Sequence, residues 1–416
     1  MTDRRLFTYV ELDGANHLVG KLWARTLRGR QSATFEYDAT WLANPVRFAL
    51  EPALTLTSHP HNTALGRAMF GAIGDSAPDR WGRRLIQREE ERKAREQKRV
   101  PRTLTEADYL LGVGDIARQG ALRFALVEGG PFLAAEGATQ VPALVKLPEL
   151  LTAAMHIAAD EETDEELRLV LAPGSSLGGS RPKASVVDRD GHLLIAKFPQ
   201  SDDTTNASLW EGVALTLAAK AKIATPSWRL QNIGKRHALL LRRFDRRAGR
   251  RIPFLSAMSM LDAADNDQHS YLEIADALTQ HGARPQEDHA QLWRRIVFSI
   301  LISNTDDHLR NHGFLYEPGE GWRLSPVYDV NPTSIQAKPR VLSTAITEAD
   351  ATASLELAFE VAEYFGIKDK VARAIVTEVG KAVSGWRDVA FSLGLSEREV
   401  ERMASAFEHK VSARGP

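Results

Sequence analysis

Cysteine is absent from all 416 residues, which excludes disulfides, thiolate-bound zinc, iron–sulfur clusters and a cysteine nucleophile, and fits a reducing compartment. A surplus of charge is lacking too. Lys and Arg number 53 against 54 Asp and Glu, a net -1, so no global field draws the chain to nucleic acid or anionic lipid, and any such binding has to be local. No apolar run reaches the roughly 18 residues that a spanning helix needs. The opening MTDRRLFTYVELDGAN has no apolar stretch of the kind a secretory leader carries, and we expect a cytoplasmic protein without membrane contact. Internal repeats and low-complexity tracts are missing as well. What remains is an ordinary globular composition, 43% hydrophobic and 26% charged, in a chain long enough for two or three domains with substantial cores.

From Leu6 to about Leu56, alternating segments such as LFTYVEL, HLVGKLWA and TFEYD are parted by turn signals like Asp13-Gly14 and predict a small antiparallel sheet. The tract Arg80 to Arg99 reads as a long exposed helix stopped before Pro101. Thr103-Leu104-Thr105-Glu106 offers a capping box for the next helix, with a strand at Ala121 to Glu128 beyond it. Helical patterns from Pro142 to Leu171 lead to the loop APGSSLGGSRPKA, after which ASVVD and HLLIAKF read as two strands joined at Asp188 to Gly191. NASLWEGVALTLAAKAK predicts an Asn-capped helix, and two further β segments end in ALLLRRFDR. Beyond Ser270 the pattern is mostly helical, interrupted by short strands at GFLYEP and WRLSPVYD. The expected domains are 1–135, β-rich with helices; 136–255, nucleotide-binding; and 256–416, helical.

The stretch ISNTDDHLRNH, Ile302 to His312, crowds ionisable and amide side chains against the end of an apolar helical run. Alone it reads as a helix cap and turn. Its place in the order of the chain adds to that. A glycine-rich loop (Gly174, Gly178, Gly179) precedes a strand with Lys197; a helix with Glu211 follows; then Arg243-Phe244-Asp245, Asp306 with Asn311 five positions on, and Asp329. Protein kinases place a phosphate-covering loop, a strand lysine, a helix glutamate, a catalytic Asp with its Asn, and a metal-binding Asp in this order. Gly-rich backbone N–H groups can approach phosphate oxygens, and a strand lysine supplies a fixed positive charge. An Asp beside the attacking hydroxyl accepts its proton, while Asn and Asp oxygens suit Mg²⁺, a hard cation. Each element alone has an ordinary reading as linker, surface residue or cap. Their shared order argues against coincidence.

The segments GSSLGGSRPKASV, LLIAKFP, LLRRFDR, ISNTDDHLRNHGFLY and LSPVYDVNP together resemble the HipA-type serine/threonine kinases, toxins of bacterial type II toxin–antitoxin systems. DSAPDRWGRRLI resembles their amino-terminal subdomain. The resemblance implies an α+β, two-lobed protein-kinase-like fold with an amino-terminal small β domain and a mostly helical carboxy-terminal lobe. It implies ATP and Mg²⁺ as cofactors, Asp306 as catalytic base, Asn311 and Asp329 as metal ligands, Lys197 on the ATP phosphates, and Gly178 and Gly179 in the covering loop. The backbone around Arg243 and Phe244 is then the adenine hinge. Ser176 stands where the family carries an autophosphorylated serine, with Ser175 and Ser180 competing for that place. The implied partners are a small DNA-binding antitoxin, with DNA contacted through it, and a protein substrate that for some members is glutamyl-tRNA synthetase or another aminoacyl-tRNA synthetase.

Other readings have a basis in the residues. His308 and His312 lie four apart, yet a zinc protease needs Glu after the first His, and Leu309 stands there. WRDVAFSLGLSEREVERM spaces Ala390, Gly394 and Val400 like a helix-turn-helix, but Glu397, Glu399 and Glu401 would repel phosphates, and core packing is the expected role. Glu89, Glu90, Glu91 and Glu96 interleave the basic helix from Arg80, so a solvated face is expected there, as it is for Lys183 after Pro182. The alternative function is a non-catalytic regulatory subunit acting with an antitoxin or DNA.

Overall fold

Alternating apolar positions build the first sheet. The computed structural model describes residues 2–133, 141–171, 179, 181–200, 203, 205–265 and 267–409. Strands β1 (Thr2–Leu12), β2 (Ala15–Leu27) and β3 (Arg30–Tyr37) pair antiparallel, joined with β4 (His61–Asn62) and β5 (Leu122–Ala125) in the order β4-β3-β2-β1-β5. The turn Asp13-Gly14 has φ of 51° and 85°, the positive pair that lets a two-residue connection follow the twist of its strands. Leu6, Val10, Val19, Leu22 and Phe35 lie fully inside.

By contacts the chain divides into two compact units, Met1–Asp202 with Gln231–Leu255, and Asp203–Leu230 with Ser256–Pro416. The first contains the five-stranded sheet and most of a second, four-stranded sheet of β6 (Lys183–Val187), β7 (Leu193–Lys197), β8 (Trp228–Ile233) and β9 (Arg236–Arg242), in the order β6-β7-β9-β8. Trp81 and Leu85, from the helix Arg80–Glu96, share a buried core with Leu150, Ile157, Val186 and Leu240. That helix is therefore not the wholly exposed one expected: its interleaved charges solvate one side only. Arg92 is itself buried, held by Glu89 and Glu96. The capping box of the next helix, Glu106–Leu111, is built from Thr105 and Asp108, two residues later than expected, because Glu106 is taken by a two-pronged ion pair with Arg83, 2.6 Å on each side.

The second unit is mainly helical. Asn206 caps the helix Ala207–Lys220 by accepting from the Leu209 N–H at 3.2 Å, as expected. Almost every position from Ser208 to Ala218 is buried, Glu211 included, so Glu211 is no surface decoration. The helix Pro285–Leu301 runs into the hairpin Gly313–Glu317 with Gly321–Leu324 by way of the ISNTDDHLRNH segment. At the carboxy-terminal end, Trp386 stacks on Phe407 with ring centres 4.4 Å apart and planes 7° apart, and Ala390 and Val400 are buried. Core packing is what these helices do with the spacing that resembles a helix-turn-helix. Among the described residues no helix is long and apolar enough to cross a membrane.

Candidate active site

The candidate residues fall into two sets, one in each unit. In the second unit the helix Pro285–Leu301 ends because Ser303 takes a positive φ of 53°. The Asn304 N–H then bonds back to Ser299 O at 2.9 Å. Ser303 is held there: its Oγ donates to Ala406 O at 2.9 Å and accepts from Arg340 at 3.2 Å. From Ile302 to Leu309, residues are buried except Asp306, which is exposed, and His308, half-buried. The loop thus turns one carboxylate outward. Among the described residues, Lys338 places its Nζ 3.9 Å from Asp306 Oδ1.

Asn311 folds back over the same loop. Its Nδ2 donates to Asp306 O at 2.9 Å, which leaves the amide oxygen, the atom that suits a hard cation, as the end not used in that bond. Asp329 adopts φ of 56°, a left-handed conformation uncommon for a residue with a side chain but tolerated by Asp and Asn. Its Oδ1 accepts from Asn331 Nδ2 at 3.4 Å, and the Asn331 N–H donates to Asn304 Oδ1 at 3.1 Å. Asn311 and Asp329 together offer an amide and a carboxylate oxygen, donor chemistry that fits Mg²⁺. Residues 309–311 form one short 3-10 turn, so His308 and His312 do not share an α-helical face.

The adjacent Asp307 points inward. Its Oδ2 accepts from Tyr271 OH at 2.5 Å and Ser299 Oγ at 3.1 Å, and its Oδ1 lies 3.1 Å from His312 Nε2. Burial alone would raise this carboxyl; the facing His312 and the two hydroxyl donors overcome that and hold it below its ordinary value. The same burial, with Asp307 beside it, pushes the Tyr271 hydroxyl well up, so it stays a donor.

In the first unit, Lys197 is half-buried at the end of β7, paired with Leu239 of β9 and with Lys183 of β6. Lys183 is buried, not exposed: its Nζ is 2.5 Å from Asp79 Oδ2, and its carbonyl accepts from Trp81 Nε1 at 3.0 Å. Burying this charge is tolerable because Asp79 neutralises it. The Arg243 side chain is buried as well. It binds both carboxylate oxygens of Asp245 and the carbonyls of Ala117 and Arg118, while its own N–H pairs with Leu193 O at 3.1 Å. Phe244 is half-buried, its ring 6.3 Å from that of Phe254. Gly179 is exposed with φ of 109°, a conformation suited to glycine. Ser176 and Gly178 lie outside the described residues, as do Gly174, Ser175 and Ser180.

A family model described as the HipA-like C-terminal domain matches residues 175–386, just over half of the 416 residues. The chain belongs to the HipA-like family. A Haemophilus influenzae strain Rd protein named "Putative kinase" is 25% identical to this HipA-like chain over 224 residues, covering 46% of this chain and 64% of that protein, so the match spans less than two thirds of the relative. The fold is similar to that of a chain in the solved HipA, HipB and operator DNA complex of the Shewanella oneidensis MR-1 toxin–antitoxin system, with TM-score 0.65, 16% identity, and coverage of 96% of this chain and 94% of that one. The mixed α/β architecture is thus a HipA-like one.

The residues that sequence reasoning missed in this HipA-like chain are those that hold the candidates in place: Asp307 with Tyr271 and His312, and Asp79 with Lys183. The doubled Asp306-Asp307 was a signal that two carboxylates with different surroundings stood side by side. Nothing local marked Tyr271, 36 residues away, or Asp79, 104 residues from its lysine.

Proposed function

We propose that this HipA-like chain is a Mg-ATP-dependent serine/threonine protein kinase. The observation that carries the reading is Asp306: an exposed carboxylate on a loop whose neighbours are buried, with Asn311 bonded to its carbonyl. In this reading Asp306 accepts the proton of a substrate hydroxyl as that oxygen bonds to the γ-phosphorus of ATP and the bond from that phosphorus to the bridging oxygen breaks, releasing ADP. Asn311 and Asp329 hold the metal, which when bound offsets the charge of the phosphate oxygens. Lys197 adds a fixed positive charge toward the phosphates. Gly178, Gly179 and the loop around them cover the nucleotide, and the backbone near Arg243 and Phe244 lines the adenine. Since the Arg243 N–H already pairs with Leu193, the hinge contact falls to other backbone groups beside it. Ser270 and Ser396 cap helices that carry none of these roles.

Phosphorylation of Ser176 then serves as an off-switch, because a phosphate of roughly -1.5 to -2 charge in a phosphate-covering loop repels the nucleotide. The substrate class is a protein serine or threonine, with an aminoacyl-tRNA synthetase such as glutamyl-tRNA synthetase as the first to test. A small DNA-binding antitoxin is the proposed partner, DNA being reached through it. This extends to the present chain the association found in the Shewanella oneidensis complex, in which HipA, HipB and operator DNA occur together. Comparing phosphoproteins in cells that express the chain with those that express Asp306→Asn tests the assignment and identifies the target. Phosphosites that appear only with the wild type support it, and identical profiles refute it.

A further inference from the structure

Asp307 is a buried carboxylate for which the chemistry above has no use. It does not stand alone: Tyr271, Ser299, Asp307 and His312 are all buried, and the His312 ring meets the Tyr271 ring edge-on at 5.6 Å and 86°. The Asp307–His312 contact begins and ends one residue after Asp306 and Asn311, so the two pairs close the same loop side by side. Backbone bonds fasten the loop to a neighbouring segment as well. Thr344 Oγ1 donates to Asp307 O at 2.7 Å, and the Ser343 N–H donates to Thr305 O at 3.0 Å, while the Tyr271 N–H donates to Ala345 O at 2.9 Å. Tyr271 therefore meets Asp307 directly and holds the segment that holds the loop.

We propose that Asp307 and His312, anchored by Tyr271 and Ser299, form a positioning clamp that fixes Asp306 and Asn311 at their working separation. The proposal rests on the kinase reading of those two residues. A carboxylate held by two hydroxyl donors on one oxygen, with an imidazole facing the other, has one low-energy seat, and a side chain one position away inherits that orientation through the backbone. Relaxing the seat leaves Asp306 chemically intact but misplaced, and misplacement of about 1 Å costs a reaction on the order of 100-fold. Asp307 touches neither substrate nor metal in this account; it is a positioning residue.

The test uses the full chain with Asp307→Asn, His312→Gln and the double variant. Asp307→Asn keeps the shape and one acceptor for Tyr271 but removes the charge that faces His312. For molecules shown to be folded by their cooperative unfolding, kcat for phosphoryl transfer should fall about 10- to 100-fold with the KM for ATP little changed. The double variant should lose no more than the worse single one. Loss of stability with kcat per folded molecule unchanged would overturn the clamp, because that is what a purely structural role predicts. Tyr271→Phe, which removes one hydroxyl and keeps the ring, carries the same readouts should Asp307→Asn fail to fold. A second measurement is independent of turnover: hydrogen exchange of the 304–313 amides at equal global stability. Faster exchange there in Asp307→Asn or Tyr271→Phe sustains the clamp, and unchanged exchange in both overturns it. Should the wild type bind Mg²⁺ and a non-hydrolysable ATP analogue without ever transferring phosphate, the kinase reading falls and exchange alone decides the clamp.

Discussion

Lys183 of β6 stands directly opposite Lys197 of β7, and its ammonium is locked 2.5 Å from Asp79 with both side chains almost out of solvent. Opposite residues of paired strands share a face, and like charges there repel. Asp79 removes that conflict and caps the helix Arg80–Glu96 with its other oxygen, 2.7 Å from the Gly82 N–H.

The two lysines should therefore fail in different ways. Lys183→Ala removes the ammonium that faces the buried Asp79 and should cost about 3–5 kcal/mol of stability. Lys197→Ala should leave the unfolding midpoint near that of the wild type and weaken ATP binding about tenfold or more, the loss of one charge-assisted contact. Thermal unfolding with ATP titration separates them. Equal, small changes in ATP affinity would mean that Lys197 does not serve the nucleotide.

Acid should act through Asp245. Burial would raise its carboxyl, yet Arg243 and Arg246 hold it far below the usual carboxylate range. A depressed folded pKa gives stability that is fully present above the unfolded value of about 3.9 and is lost as pH falls through the folded value. Asp245→Asn should be less stable than the wild type at pH 7 by about 3–5 kcal/mol. The gap should narrow as pH drops below about 4. Denaturant melts from pH 7 to pH 2.5 test this, and a constant gap would contradict the assigned pairing.

The hairpin turns and helix starts were legible because their chemistry is local: Asp13-Gly14 supplies its own positive φ, and Asn206 caps the helix it precedes. The order of the candidate site residues was legible for the same reason. The capping box at Thr105 was misjudged because Thr103 with Glu106 and Thr105 with Asp108 both fit the local pattern, and only Arg83, 23 residues away, decides between them. Lys183 was expected in solvent because its neighbours Pro182 and Arg181 suggest a loop exit, and nothing near it announces Asp79. Asp307 was indistinguishable from Asp306 by spacing; Tyr271 and His312 tell them apart.

The carboxy-terminal helices should be load in the core rather than a DNA reader. Phe407→Ala removes the ring stacked on Trp386 and should cost about 3–5 kcal/mol. Reversing Glu397, Glu399 and Glu401 to Gln should leave duplex DNA affinity of the isolated chain unchanged. Tighter, sequence-selective binding by that variant would revive the helix-turn-helix reading.

The metal ligands have their own signature. Asp329→Asn suits the left-handed φ of 56° better than Ala does and removes only charge. Nucleotide binding in that variant, and in Asn311→Ala, should need about tenfold more Mg²⁺ for half-saturation, with metal-free nucleotide binding unaltered. Calorimetric titration of ATP at several Mg²⁺ concentrations measures both. An unchanged Mg²⁺ requirement would remove these residues from the site.

The most direct measurement is transfer of the γ-phosphate from Mg-ATP to protein by the wild type and by Asp306→Asn. Asp306 is exposed, so the variant should unfold within about 0.5 kcal/mol of the wild type. Its transfer rate should fall by about 10²- to 10⁴-fold, the usual contribution of a general base. Transfer at the wild-type rate by a folded Asp306→Asn chain would contradict the assignment.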